Sequence, residues 1–294
     1  MKTLVFGRDG QLGRAFQERI GSNPNVFFVG RQECDFFNVG LIKNYVERLA
    51  PDQIINAAAY TAVDKAESTQ KNAFAINERA VAEIARYCQK NNKRFLHFST
   101  DYVFDGLKHK PYFEADKANP QSVYGQTKWE GEEAIRQYKK HIILRTSWVY
   151  GSHGQNFLKT ILKLAQEKSS LNVVSDQMGT PTSSDLLANV TYNIVKTILK
   201  NTNFKDFGTY HVTSMGDTDW FHYACFIVDE SMRLDLKTTM TSKDIKPISS
   251  DLYPTLAKRP TNSRLCTDKI KKTFMLELPH WEEEVKRVLK EIIH

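Results

Sequence analysis

An apolar run, Thr3 to Phe6, ends in three glycines at intervals of three: "FGRDGQLGRAF", Phe6 to Phe16. Glycine loses more conformational freedom on folding than any other residue, so Gly7, Gly10 and Gly13 call for a reason in structure or binding. The residues before them read as a strand, and "QLGRAFQERI" after them reads as a helix. A tight strand-to-helix turn of that kind lets backbone N–H groups approach a pyrophosphate at the positive end of a helix dipole. The spacing is G-x-x-G-x-x-G, not the commoner G-x-G-x-x-G. On this stretch alone, a turn without a ligand remains open.

The same alternation continues. "NVFFVG", "DQIINAAA", "RFLHFST" and "HIILRTSWVYG" read as strands. "GLIKNYVERLA", a long pattern over 69–91, and "YGQTKWEGEEAIRQY" read as the helices between them. The strands are apolar without strict alternation, as parallel strands covered on both faces are. The pattern predicts an α/β fold with a doubly wound, Rossmann-type parallel sheet. Further on, "NFLKTILKLAQEK", "SSDLLANVTYNIVKTILK" and "DWFHYACFIVDESMRL" read as helices and "GTYHVTS" as a strand. The stretch Ile248 to Leu265 has two prolines and little periodicity, the character of a binding loop.

Composition narrows the function. The 294 residues are 41% hydrophobic and 26% charged, enough for a full core without disulfides. The four cysteines, Cys34, Cys88, Cys225 and Cys266, lack the spacing of a zinc or redox motif and read as free thiols in a reducing cytosol. The N-terminal apolar stretch is too short for a signal peptide and no run reaches membrane length, so a cytoplasmic protein with no membrane partner is expected. A net charge of +7 raises the question of nucleic acid, but the basic residues are interleaved with acidic ones. They suit solvated faces and small anionic ligands, so no nucleic-acid partner is expected.

Two further features point to a nicotinamide enzyme. The residue after the second strand of a dinucleotide fold sets cofactor choice, an acid favouring NAD and a base NADP. Arg31 stands there, which favours NADPH with NADH still possible; an ordinary surface arginine is the other reading. Asp35 and Phe36 are placed to flank the adenine. Tyr124 and Lys128, four apart, share one helix face. A lysine ammonium beside a tyrosine lowers the phenol's pKa into a range useful for proton transfer, and the lysine can also hold ribose hydroxyls.

The motifs "FGRDGQLG", "NAAAYTAVDKAES", "FSTDYVFDG", "VYGQTKWEGE", "LRTSWVYG", "SDQMGTPT", "YPTLAKRPTNSRL" and "LPHWEEEVKRVL" span nearly the whole chain. Through them it resembles the extended short-chain dehydrogenase/reductases and, within these, the dTDP-4-dehydrorhamnose reductase family. The resemblance implies that Tyr124 is the proton donor, Lys128 its partner, and Thr100 a third group at the reacting oxygen. It implies that Gly7, Gly10, Gln11, Leu12, Gly13 and the turn Ala58, Ala59, Tyr60 and Thr61 line the cofactor. It places Asp101, Trp148, Asn156, Arg259 and Asn262 toward a dTDP-sugar; apart from the resemblance, Trp148 also reads as core and Arg259 as a surface ion pair. It also implies a smaller C-terminal substrate-binding lobe. The NAD(P)-binding domain is expected over 1–150 with late elements from 171–230, and the lobe mainly over 151–170 and 231–294.

Some members of the family carry a glutamate two residues after the third glycine, in an intersubunit metal site. Ala15 stands there in this chain, so no metal is expected, and the chain is expected as a monomer or homodimer. Two rivals remain. Dehydratases on this scaffold carry Asp-Glu after the active-site threonine, whereas here Thr100 is followed by Asp101 and Tyr102. A non-catalytic, NADP-binding regulatory subunit is the other rival, and so is a reductase of a different 4-keto-6-deoxy nucleotide sugar.

Overall fold

The computed structural model describes residues 1–201 and 203–294. Its main sheet contains β1 (Thr3–Phe6), β2 (Val26–Val29), β3 (Gln53–Asn56), β4 (Arg94–Thr100), β5 (His141–Thr146) and the strand Gly208–His211. All pairings are parallel, and the order is β2-β1-β3-β4-β5 followed by Gly208–His211. Helices α1 (Gln11–Ile20), α2 (Val39–Leu49), α3 (Val63–Ser68), α4 (Gln70–Phe74), α5 (Ala80–Lys90), α6 (Val123–Arg136), α7 (Phe157–Glu167), α8 (Ser184–Lys200), α9 (Trp220–Arg233), α10 (Asp268–Phe274) and α11 (Trp281–Ile293) complete the regular structure.

Strand neighbours point to opposite faces, and each face has its own core. Leu4, Ile54, Phe95 and Ile143 pack with Ile42 and Val46 of α2 and Val81 and Ile84 of α5. Val5, Ile55, Leu96, Ile142 and Leu144 pack with Phe16 of α1, Leu187 and Ile194 of α8, and Ile270 and Phe274 of α10. The sheet is therefore covered on both sides, which explains why its strands lack polar alternation. The chain leaves β1 toward β2 and returns past it to β3. In open parallel sheets that reversal opens a crevice at the carboxyl ends of the strands.

A third core holds α7, α9 and α11 around a two-stranded parallel pair, Leu171–Val174 with Ile245–Ile248. Of the segment 171–230, α8 and Gly208–His211 pack with the main sheet, whereas Leu171 and Val173 and the α9 residues Tyr223 and Ile227 pack in this third core. Residues 270–278, beyond position 230, contribute to the main sheet's core.

Two elements differ from the sequence expectation. The expected strand over 141–151 is broken: β5 ends at Thr146, and Val149–Tyr150 pairs instead with Thr182–Ser183. The break lies at Trp148, whose φ of 48° takes the chain out of extended conformation. The helix expected over 69–91 contains one wide turn, Ala75–Arg79, between α4 and α5. Wide turns of this kind often mark functional positions. Here the turn presents Asn77, which accepts from Tyr60 N at 2.8 Å and donates to Tyr60 O at 3.0 Å and to Thr127 Oγ1 of α6 at 3.1 Å.

The four cysteines are free, and no described helix is long and apolar enough to cross a membrane.

Candidate functional site

The crevice at the carboxyl ends of the strands is a cleft of about 720 Å³. One wall is the glycine turn. Gly7 has φ 92°, and a Cβ there would lie 2.7 Å from the backbone of Ala57 and Ala58. A Cβ on Gly13 would lie 2.0 Å from Gly7 O. Gly13 is thus a packing glycine that lets α1 close on the turn, and it does not line the cleft as expected. Gly7, Gly10, Gln11 and Leu12 do line it. Gly10 caps α1 without a side-chain hydrogen bond, which leaves the helix's positive end for another acceptor.

At one end of the cleft stand Gly30, Arg31, Cys34, Asp35 and Phe36. The Arg31 side chain is 73% exposed and pairs with Asp35 at 3.3 Å. Phe36 packs edge-on against Phe6 with ring centroids 5.0 Å apart. The sequence reading passed over Arg8 beside them, which pairs with Asp9 and Glu33, while Glu33 also accepts from Gly30 N at 3.1 Å.

The floor is the turn after β3. Ala58, Ala59, Tyr60 and Thr61 all line the cleft. Asn56 Oδ1 accepts from Ala58 N at 3.0 Å, and Asn77 clamps Tyr60, so this turn is held from both sides.

At the other end the cleft reaches Thr100, Asp101, Tyr124, Lys128 and Trp148. Thr100 closes β4 and Ser122 caps α6, whose first two turns carry Tyr124 and Lys128. Thr100 Oγ1 donates to Asp101 Oδ1 at 3.0 Å and accepts from Tyr102 N. Burial raises the Asp101 carboxyl to about 6, against hydrogen bonds from Ser263 and Thr100. Burial also pushes the Tyr124 phenol well up; a hydrogen bond with Thr100 opposes the rise and the Asp101 charge adds to it. The helical spacing of Tyr124 and Lys128 predicts a lowered phenol, and burial acts on it in the opposite direction. Burial brings Lys128 down to about 8, with the Glu132 charge opposing. Its Nζ donates to Phe98 O at 2.6 Å and lies 3.2 Å from His97 Nε2.

Three residues expected near a sugar nucleotide lie outside this lining. Asn156 caps α7 and donates to Gln11 Oε1 at 2.9 Å and Gly151 O at 2.8 Å, so it steadies the cofactor wall. Asn262 is buried, donates to Lys108 O and Lys110 O, and accepts from Arg264; its amide is consumed in joining loops. Arg259 reaches the rim, with Nη1 3.4 Å from Tyr102 Oη. Trp148 does face the cleft and stacks on Trp220, ring centroids 3.5 Å apart.

The residues present fit a dinucleotide. The turn excludes any Cβ at Gly7, the start of α1 has no side-chain cap hydrogen bond, and Thr146 Oγ1 is buried without a partner among the described residues. No group of three or more potential metal ligands occurs among the described residues.

The family model described as RmlD substrate binding domain matches residues 1–293. The chain belongs to the RmlD family. One RmlD relative, the dTDP-4-dehydrorhamnose reductase of Salmonella typhimurium, is 41% identical over 297 residues, covering 99% of this chain and 98% of that protein. The crystal structure of a dTDP-4-dehydrorhamnose reductase from Clostridium acetobutylicum superposes with a TM-score of 0.90 at 34% identity, covering 100% of both chains. That from Bacillus anthracis, in complex with NADP, gives 0.88 at 31% identity, covering 99% of this chain and 100% of that one. The RmlD fold accounts for the six-stranded parallel sheet and the C-terminal region described above.

Proposed function

We propose that the protein is a cytoplasmic reductase that uses NADPH, or less readily NADH, to convert the C4 ketone of dTDP-4-dehydro-L-rhamnose to the alcohol, giving dTDP-L-rhamnose. The observation that carries this reading is the meeting of Thr100, Tyr124 and Lys128 in one cleft with the glycine turn. Full-length likeness to dTDP-4-dehydrorhamnose reductases supports the substrate.

A bound reduced nicotinamide supplies the hydride. The chain's own residues handle the oxygen. Thr100 Oγ1 is placed to hydrogen-bond the carbonyl oxygen. Tyr124 Oη gives its proton to that oxygen as negative charge develops there. A phenol held in its acid form suits that task. Lys128 faces the phenolate that remains. Gly10, Gln11 and Leu12 at the end of α1 receive the cofactor's pyrophosphate, and Arg31 its 2′-phosphate. Trp148 and Arg259 border the sugar nucleotide. We carry the substrate domain as the third core with its flanking loops.

Dehydration lacks its second acid, because position 102 is a tyrosine whose hydroxyl faces Arg259. The test is a purified-protein assay with the upstream 4-keto sugar nucleotide and either cofactor, with the product identified. NADPH consumption yielding dTDP-L-rhamnose supports the reading. A different 6-deoxy sugar would reassign the substrate, and no turnover despite tight NADPH binding would favour a non-catalytic regulatory subunit.

A further inference from the structure

Two fully buried polar residues stand side by side on β3 and β4 beneath the cleft. Asn56 ends β3 and His97 lies in the middle of β4, and the two are direct partners in the parallel register. They connect the turn after β3 to Lys128 by a chain of hydrogen bonds whose direction can be followed.

The chain starts at Ala58 N, which can only donate, and its acceptor is Asn56 Oδ1 at 3.0 Å. That fixes the amide, so Asn56 Nδ2, a donor, faces His97 Nδ1 at 3.1 Å. His97 Nδ1 must then accept and carries no proton. A ring with no proton on Nδ1 is not an imidazolium, and burial, which holds His97 well below its ordinary pKa, agrees with a neutral ring. A neutral ring with a bare Nδ1 carries its hydrogen on Nε2. That N–H points at Lys128 Nζ, 3.2 Å away. An ammonium has three donors and no acceptor, whereas an amine has a lone pair to receive the N–H. The other lysine contact, to Phe98 O, uses a donor that the amine still has.

We propose that His97 is a positioning residue that favours the neutral amine form of Lys128 over the ammonium, with Asn56 setting the imidazole tautomer that makes this possible. The surroundings are consistent. The titratable groups acting on Lys128 are His97 from β4, 3.2 Å away, and Glu132 from its own helix, and Tyr124 stands one helical turn before it. Asp101 follows β4 beside Tyr124. Glu132, which favours the ammonium, is engaged by Arg145 at 2.7 Å and Arg136 at 2.9 Å. The wide turn packed on α6 presents Asn77, which is uncharged. The proposal rests on Lys128 being the partner of Tyr124, but not on the identity of the sugar.

The test uses the full chain without cofactor, so it can fail separately from the proposed reaction. Long-range imidazole ¹⁵N spectra read the His97 tautomer directly; hydrogen on Nε2 is expected, and hydrogen on Nδ1 overturns the proposal. Lys128 is titrated through its ¹³Cε resonance, identified by its loss in Lys128→Met. Its midpoint should lie at least about one pH unit below that of exposed lysines. Asn56→Asp keeps the acceptor for Ala58 N but accepts from Nδ1–H, so it should reverse the tautomer and raise the Lys128 midpoint by about one pH unit or more. A reversed tautomer with an unmoved lysine overturns the proposal. Should Asn56→Asp fail to fold, His97→Leu removes the donor, and its Lys128 midpoint must rise for the proposal to stand.

Discussion

Arg259 Nη2 donates to Asp64 Oδ2 at 2.7 Å across 195 residues of sequence. Ala257 N donates to the other oxygen of the same carboxylate at 3.1 Å. The irregular segment is thereby fastened to α3, just beyond the turn that floors the cleft. Both partners are partly exposed, so the pair itself contributes little to stability. Its guanidinium stands at the rim, and in the proposed function it exchanges this carboxylate for a diphosphate, an anion that suits a two-pronged arginine contact.

Arg259→Ala should therefore weaken sugar-nucleotide binding by on the order of 1.5–3 kcal/mol, the range for a hydrogen bond to a charged group. NADPH affinity should stay nearly constant. Isothermal titration with each ligand checks both. Unchanged sugar-nucleotide affinity would reduce Arg259 to a structural tie.

Tyr124→Phe removes one hydroxyl and keeps the edge-on contact with Tyr102, whose ring centroid lies 5.5 Å away. Folding and cofactor affinity should hold while turnover falls by roughly two to four orders of magnitude. Near wild-type turnover in a stopped-flow NADPH assay would remove Tyr124 as the proton donor.

Arg31 is held at the mouth of the cleft by one exposed ion pair, so its loss should leave the fold intact. Arg31→Ala should raise KM for NADPH about tenfold or more and leave KM for NADH nearly unchanged. Equal effects on the two cofactors would shift the reading of the 2′-phosphate to Arg8, whose guanidinium sits beside the same glycine turn.

Asn156→Ala should act on the cofactor, not on the sugar. It releases Gln11 and uncaps α7, which costs about 1 kcal/mol of stability. Parallel titrations should show weaker NADPH binding with the sugar-nucleotide constant unmoved. The opposite pattern would return Asn156 to the substrate side.

Asp101 gives a pH signature. Its carboxyl rises from 3.8 to about 6 on folding because burial disfavours the charge. Between those values the native state keeps a proton that the unfolded chain has released. Stability therefore falls as pH rises through that window, by roughly 3 kcal/mol in full. Asp101→Asn removes the penalty. Its melting temperature should gain on the wild type progressively from about pH 4 to about pH 7 and level off above. A constant difference across that range would mean the carboxyl is not displaced.

Much of the frame was readable from the chain. α1 and β4 begin and end at the residues that the sequence pattern indicates, because each is bounded by a glycine turn or a helix cap. The Tyr124–Lys128 face was readable because helical spacing is local. The break at Trp148 was not, since nothing local in a β-rich stretch signals a positive φ, and the ring stacks on Trp220, far along the sequence. The pairing of Leu171–Val174 with Ile245–Ile248 joins strands some seventy residues apart, beyond any local pattern. The expectation that Asn156 and Asn262 approach the sugar nucleotide comes from the resemblance, since local sequence does not tell whether such an amide is free or engaged within the protein. The signal for His97 was present, as a polar residue inside an apolar buried strand, but its meaning depended on which residue the register sets beside it.

That register has an evolutionary consequence. Asn56 and His97 are neighbours because β3 and β4 pair in one alignment, and slipping either strand by a residue would turn its side chains to the opposite face. Their partnership is inherited with the sheet itself. The segment that carries Arg259 belongs to loops, where insertion and exchange are well tolerated. Under the proposed roles, descendants of this chain would trade one sugar for another by rewriting the rim while the sheet-borne residues pass on unaltered, and a designer who wishes to graft new specificity would have the same division to work with.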